Sequence, residues 1–240
     1  MKCDIGFIDD DEHLLVRDLE AWDLIQGHKE RGCINVHITD ELIEANGNSY
    51  RSRFFGVDGI FLSNGTYLDP DLISTLSHEV GHYFELDHTH QYFTKGGCRK
   101  EAIDRNRTWP TFGFCPFGGG GSSSQRICEA TGDFLSDTPA DHDLTPNNSC
   151  LYVQGGQTDP WGDHYETPPA GSLSPDPTNI LSYNRQRVCR VRFSRLQIAV
   201  MLYSVERGKS KSNKDHGKIS EEYMMNMKWI IFQKLQDLFF

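Results

Sequence analysis

The sequence predicts an α+β fold. Two short stretches carry strand patterns, one helix is marked at its start and along an apolar side, and residues 87–177 show no regular period at all. With 240 residues the chain suits one domain, or two lobes around a cleft.

Taken in order, residues 12–26 after Asp10-Asp11 read as a helix, because Leu14, Leu15, Leu19, Trp22 and Ile25 recur near the 3.6-residue period and Gly27 is a stop signal. Residues 33–38 alternate Ile34, Val36 and Ile38 against Asn35, His37 and Thr39, the pattern of a half-buried strand. Residues 57–62 form a second short strand, closed by the turn pair Asn64-Gly65. Asp69-Pro70-Asp71 then opens a helix over 70–84. An Asp caps it, Pro sits in the first turn, and acid lies near the positive end of the dipole. Its apolar side is Leu72, Ile73, Leu76, Val80 and Tyr83 or Phe84. In the irregular stretch that follows, the Gly/Ser run 118–124 reads as a surface loop without chemistry. An irregular segment this long is expected to be bridged, metal-bound or functional. Residues 193–205 read as a last core helix, 207–218 as a polar linker, and 220–240 as an amphipathic helix for packing or a partner contact.

Hydrophobic residues make up 37% of the chain, and 14 Phe with 9 Tyr add large buried area, enough for a real core. The formal net charge of −10 disfavours nucleic acid and anionic membrane, which both reward clustered Lys and Arg. No run of 18 apolar residues occurs, so no membrane-spanning helix is expected. The seven Cys, at 3, 33, 98, 115, 128, 150 and 189, form no CxxC pair. Four of them lie in Gly-, Pro- and Asn-rich sequence that gains from covalent bridging, so an exported, extracellular protein with two or three disulfides is expected, against the alternative of free thiols. Its first residues lack the apolar run of a signal peptide.

The chemistry is carried by residues 78–88, His-Glu-Val-Gly-His-Tyr-Phe-Glu-Leu-Asp-His. His78 and His82 are four apart on the helix, so their rings stack on one face and can reach one ion. His88 joins them if the helix ends near Phe84 or Glu85 and the chain turns back. Three neutral imidazoles with one open position make a catalytic zinc site. Glu79 stands beside the ion as the base that activates the attacking water. His90 is close enough to compete as a ligand, while the other histidines lie without ligand spacing.

Together with three further segments, this stretch resembles the metzincin metallopeptidases, and among them the pappalysin-like family. Residues 132–140, Gly-Asp-Phe-Leu-Ser-Asp-Thr-Pro-Ala, are similar to its GDxxxDTP motif. Asn179-Ile-Leu-Ser-Tyr183 is similar to its NxMxY turn, and Phe193-Ser-Arg-Leu-Gln197 before Met201 to the opening of its last core helix. The resemblance implies a metzincin-like catalytic domain: a twisted mixed sheet with the active-site helix in an upper sub-domain (1–88), above a mostly irregular lower sub-domain (89–206), followed here by the linker and C-terminal helix (207–240). It implies a zinc-dependent metalloendopeptidase acting on a peptide or protein substrate, which pairs with the sheet edge at Gly59, Ile60, Phe61, Leu62 and Ser63. It also implies an oxyanion role for Tyr183, a structural calcium ion at Asp133 and Thr138, and a disulfide between Cys150 and Cys189. The plain reading of Asp133 and Thr138 is an Asx-type turn before Pro139.

Two positions depart from the family. Glu85 stands where a Gly normally lets the chain leave the helix with positive φ, at a cost on the order of 1 kcal/mol if that conformation is kept. Leu181 replaces the turn Met that forms an apolar floor under the ligands, a swap of similar volume. These departures motivate the alternative, a zinc-containing peptide- or protein-binding domain without activity. The acidic excess further favours a basic substrate residue after the scissile bond.

Overall fold

A three-stranded mixed sheet supports the first long helix. The structure is a computed structural model; it describes residues 15–16, 27, 34–39, 41–42, 47–50, 59–63, 74–90, 101–108 and 132–210. The strands are β1 (Leu15–Val16), β2 (Val36–Thr39), β3 (Glu41–Leu42), β4 (Gly47–Tyr50) and β5 (Gly59–Ser63). Helix α1 spans Ser74–Tyr83 and α2 spans Arg195–Ser210, with a 3₁₀ turn at Arg187–Cys189 before it.

β5 is the middle strand. It pairs in parallel with β2, Val36 opposite Ile60 and Thr39 opposite Ser63, and antiparallel with β4, Gly47 opposite Leu62 and Tyr50 opposite Gly59. Gly59, Ile60, Phe61 and Leu62 are all buried. The sheet edge expected at Gly59, Ile60, Phe61, Leu62 and Ser63 is therefore corrected: both flanks of this strand are occupied. Burial of successive residues shows a strand covered on both faces, and its pairing on both flanks makes it central. Among the described residues, β2 and β4 are the outer strands of this sheet.

β2 has the expected period of two and the opposite facing. Ile34, Val36 and Ile38 are exposed, Asn35 is buried, and the His37 ring stacks on Phe61 at 4.8 Å. Alternation specifies two faces but not which one turns inward, and an imidazole can present its flat side to an aromatic core. Within the helix expected over 12–26, Leu15–Val16 is instead a strand paired in parallel with β3. A short apolar run with a β-branched residue suits either state. Gly27, expected as a stop, is itself helical; the rest of that span lies outside the described residues, as does the helix expected over 220–240.

α1 packs on β4 and β5. Its deeply buried residues are Ser74, Thr75, His78, Glu79 and Gly81, whereas Leu76 is exposed. The helix thus turns a polar face inward, which the apolar period does not reveal. α2 begins two residues later than expected, because Asp137 caps it: Asp137 Oδ2 accepts from Leu196 N at 2.8 Å, and Oδ1 from Ser194 Oγ at 2.9 Å. It runs into the stretch read as a polar linker, since charged residues such as Glu206 and Arg207 sustain a helix well. Between α1 and the 3₁₀ turn the described residues hold turns and isolated bridges only. Leu86, Ile180 and Leu181 form the core there, packed by Leu135, Phe193, Val200 and Met201.

Candidate metal centre

The C-terminal end of α1 sets the geometry. Leu86 N donates to Gly81 O at 3.0 Å and Glu85 N to His82 O at 2.9 Å, the paired bonds of a Schellman motif. Such a motif needs a left-handed residue, and Glu85 takes that place at φ 74°. The buried Leu86 fastens the turn to the core, as the motif's apolar contact. Its carbonyl accepts from His82 Nδ1 at 2.8 Å. The turn that ends the helix therefore also orients one of its histidines.

His78 is held from the other side, its Nδ1 lying 2.7 Å from Ile180 O. His88 follows the turn, and its neighbour Thr89 is anchored by N to Leu181 O at 3.3 Å and by Oγ1 to Asp141 Oδ2 at 2.6 Å. The three Nε2 atoms converge: 78 to 82 and 78 to 88 are 3.1 Å apart, and 82 to 88 is 2.8 Å. Four-coordinate zinc with bonds of 2.0–2.1 Å separates its ligand atoms by about 3.3 Å. The triangle is close to that size.

This arrangement has a chemical requirement. Nδ1 of His78 and of His82 each face a carbonyl oxygen, so each carries its proton there and leaves Nε2 as a lone pair. With His88 Nε2 turned to the same point, these atoms suit a shared cation. Burial foremost, and then the charge of His82, hold His78 at about 3, so it is neutral as a ligand must be. His78, His82 and His88 can thus hold a metal ion, and imidazole ligands in this number fit zinc. His90, the competing ligand candidate, stacks on His88 at 5.1 Å and lies outside the trio.

Glu79 is buried beside His78 on α1. Tyr183 is 40% exposed, with its ring 4.5 Å from that of His88, 4.2 Å from His90 and 6.3 Å from His78. Burial, followed by the charges of Asp143 and Glu79, pushes its phenol above the usual range, so it stays protonated and able to donate.

Leu181 lies under α1. A Cβ at Gly81 would stand 2.9 Å from Leu181 Cδ2 and 3.2 Å from Phe193 Cε1, so the helix rests on this floor only because Gly81 has no side chain. The turn carrying Ile180 and Leu181 is pinned by amides. Asn179 Oδ1 accepts from Leu181 N at 2.9 Å, and Asn179 Nδ2 donates to Gln197 Oε1 at 2.9 Å. Asn184 Nδ2 donates to Pro177 O and Ser149 O, both at 3.0 Å. Cys150 and Cys189 form a disulfide; the other five cysteines lie outside the described residues.

Asp133 and Thr138 meet as a turn. Asp133 Oδ1 accepts from Leu135 N at 3.1 Å and from Thr138 Oγ1 at 2.8 Å. Asp133 Oδ2 and the Oε2 of nearby Glu101 are buried without a hydrogen-bond partner among the described residues. Desolvation raises Asp133 to about 7 and Glu101 well above the carboxylate range.

Sequence reasoning missed the roles of Thr89, Asp141 and Gln197, and of Arg190, which donates to the carbonyl just before Tyr183. Asn179 and Gln197 do stand inside the two segments singled out by resemblance, but spacing alone gives no sign that they meet. Compared with known protein families and with curated proteins, the chain has no match.

Proposed function

We propose that the chain is a zinc-dependent metalloendopeptidase of the metzincin type, similar to the pappalysin-like family, acting on a peptide or protein substrate. The observation that carries this reading is the convergence of three Nε2 atoms with Glu79 on the adjoining helical position. When bound, zinc supplies Lewis-acid polarisation of the scissile carbonyl and makes water a better acid. Glu79 takes the proton of the attacking water and passes it to the leaving amine nitrogen. Tyr183 donates its phenolic hydrogen to the oxyanion as the carbonyl becomes tetrahedral. Leu181 serves as the floor. An extended peptide would add along β4, which α1 contacts and which is an outer strand among the described residues, rather than along Gly59–Ser63.

Two finer readings belong to the same proposal. Calcium at Asp133 and Thr138 is supported by the buried, unpartnered carboxyl oxygens of Asp133 and Glu101. Secretion is supported by the disulfide between Cys150 and Cys189.

The test is metal analysis joined to cleavage of a peptide library. Chelation abolishes cleavage, zinc restores it, and Glu79→Ala retains one zinc without turnover. Undiminished cleavage by Glu79→Ala ends the mechanism. Stoichiometric zinc in a wild-type protein that cleaves nothing would favour the binding-domain alternative.

A further inference from the structure

Arg190 is a buried cation beside the metal centre with no carboxylate in contact among the described residues. Arg105, Arg107 and Arg192 pair with Glu101, Asp163 and Asp176. Arg190 is only 7% exposed; its Nη1 donates to Ser182 O at 3.1 Å, and its Nε has no hydrogen-bond partner among the described residues. Ser182 immediately precedes Tyr183. Arg190 also closes the 3₁₀ turn Arg187–Cys189, which packs on α1 and is stapled to the preceding loop through Cys189. The guanidinium is thus tied to the Tyr183 turn, and its residue directly follows a segment that packs on the metal-binding helix.

Its charge is felt across the centre, acting on His78, Glu79 and Tyr183. Burial, reinforced by the neighbouring charge of Arg187, pulls Arg190 down to about 10, while Glu79 and Tyr183 act in the opposite sense. It therefore remains a cation at neutral pH. A desolvated guanidinium is costly unless an anion meets it.

We propose that Arg190, with Arg187 beside it, forms a substrate subsite next to the metal centre that takes a carboxylate, either an Asp or Glu side chain or a chain-terminal carboxylate. This rests on the peptidase reading and names its substrate class. It also reverses the preference suggested by the net charge of −10. A net charge spread over the whole surface is screened beyond roughly 8–10 Å, whereas a buried guanidinium acts at contact with a fork that matches carboxylate oxygens.

The experiment measures binding to the zinc-loaded full chain. One pair of peptide hydroxamates differs only in a Glu or Gln side chain next to the hydroxamate; a second pair has an apolar side chain and ends in a free carboxylate or an amide. In at least one pair the carboxylate member binds about tenfold tighter, the scale of a charge-assisted hydrogen bond, and the responding pair identifies the source. Arg190→Gln levels that pair while still holding zinc, and Arg190→Lys keeps part of the preference. Equal affinities in both pairs for the wild type overturn the proposal, whatever the variants do. A preference that survives in zinc-loaded Arg190→Gln overturns it as well. Because the readout is affinity, a chain that discriminates the pairs but hydrolyses no peptide would defeat the peptidase reading and leave this subsite standing.

Discussion

Asn179 and Gln197 face each other in the core and exchange amide hydrogen bonds, Nδ2 to Oε1 at 2.9 Å and Nε2 to Oδ1 at 3.3 Å. Gln197 belongs to α2, and Asn179 opens the turn whose carbonyls hold His78 and Thr89. Replacing Gln197 with Leu leaves the Asn179 amide unsatisfied and frees that turn. The expected outcome is a stability loss of about 1–3 kcal/mol and a zinc affinity lower by about tenfold, as for other partners that orient metal ligands. Urea unfolding and titration against a competing chelator measure the two effects. Lower stability with unchanged affinity would show that the clasp serves packing alone.

Gly81 is the contact point between helix and floor. In Gly81→Ala the new methyl must displace Leu181 or Phe193, both packed in the core. Overpacking of this kind costs about 1–3 kcal/mol. Because His78 and His82 flank the displaced turn of α1, metal affinity is expected to fall as well. The double variant Gly81→Ala with Leu181→Ala makes room and is expected to recover affinity over the single change. A double variant no better than Gly81→Ala alone would place the damage in the helix backbone instead.

What could be read from the sequence was local. The His78–His82 spacing and the turn that brings back His88 follow from a few consecutive residues, and the structure agrees with both; the left-handed place of Glu85 is implied only by the family resemblance, and the structure keeps it at φ 74°. What could not be read depends on distant pairing. His78 is oriented by Ile180, 102 residues away, and no short-range period encodes that. β5 reads as an apolar run whether it is central or at an edge. The facing of β2 is set by His37 against Phe61, so alternation gave the period and missed the side. Arg190 lies in a run that looks like a solvated charged turn, and only the fold buries it.

Glu85 occupies a glycine's conformation at φ 74°. Relief of left-handed strain, about 1–2 kcal/mol for a residue with a Cβ, exceeds the extra chain entropy that Gly gains when unfolded, about 0.5–1 kcal/mol. Glu85→Gly is therefore expected to stabilise the protein and raise Tm by about 2 °C, with zinc affinity unchanged because the Schellman bonds are kept. A lower Tm would mean that the Glu85 side chain makes contacts worth more than the strain it imposes.

Asp133 titrates in the unusual direction for a carboxyl group. Its folded pKa, raised to about 7 mainly by desolvation, lies above the unfolded value of 3.8. The unfolded chain therefore binds fewer protons between these values, and the penalty for burying the charge is complete above about pH 7 and fades as pH falls toward 4. Asp133→Asn keeps an oxygen to accept from Leu135 N and Thr138 Oγ1 and removes the charge. In calcium-free buffer it is expected to be more stable than wild type at pH 8, with the advantage shrinking toward pH 4. If calcium binds here, the ion supplies the missing counter-charge, so adding it stabilises the wild type but not Asp133→Asn, and the order at pH 8 reverses. Thermal melts of both proteins across this range, with calcium and with a calcium chelator, make the comparison. A constant difference between the two at every pH would remove the buried charge as its cause, and identical melts with and without calcium would remove the ion.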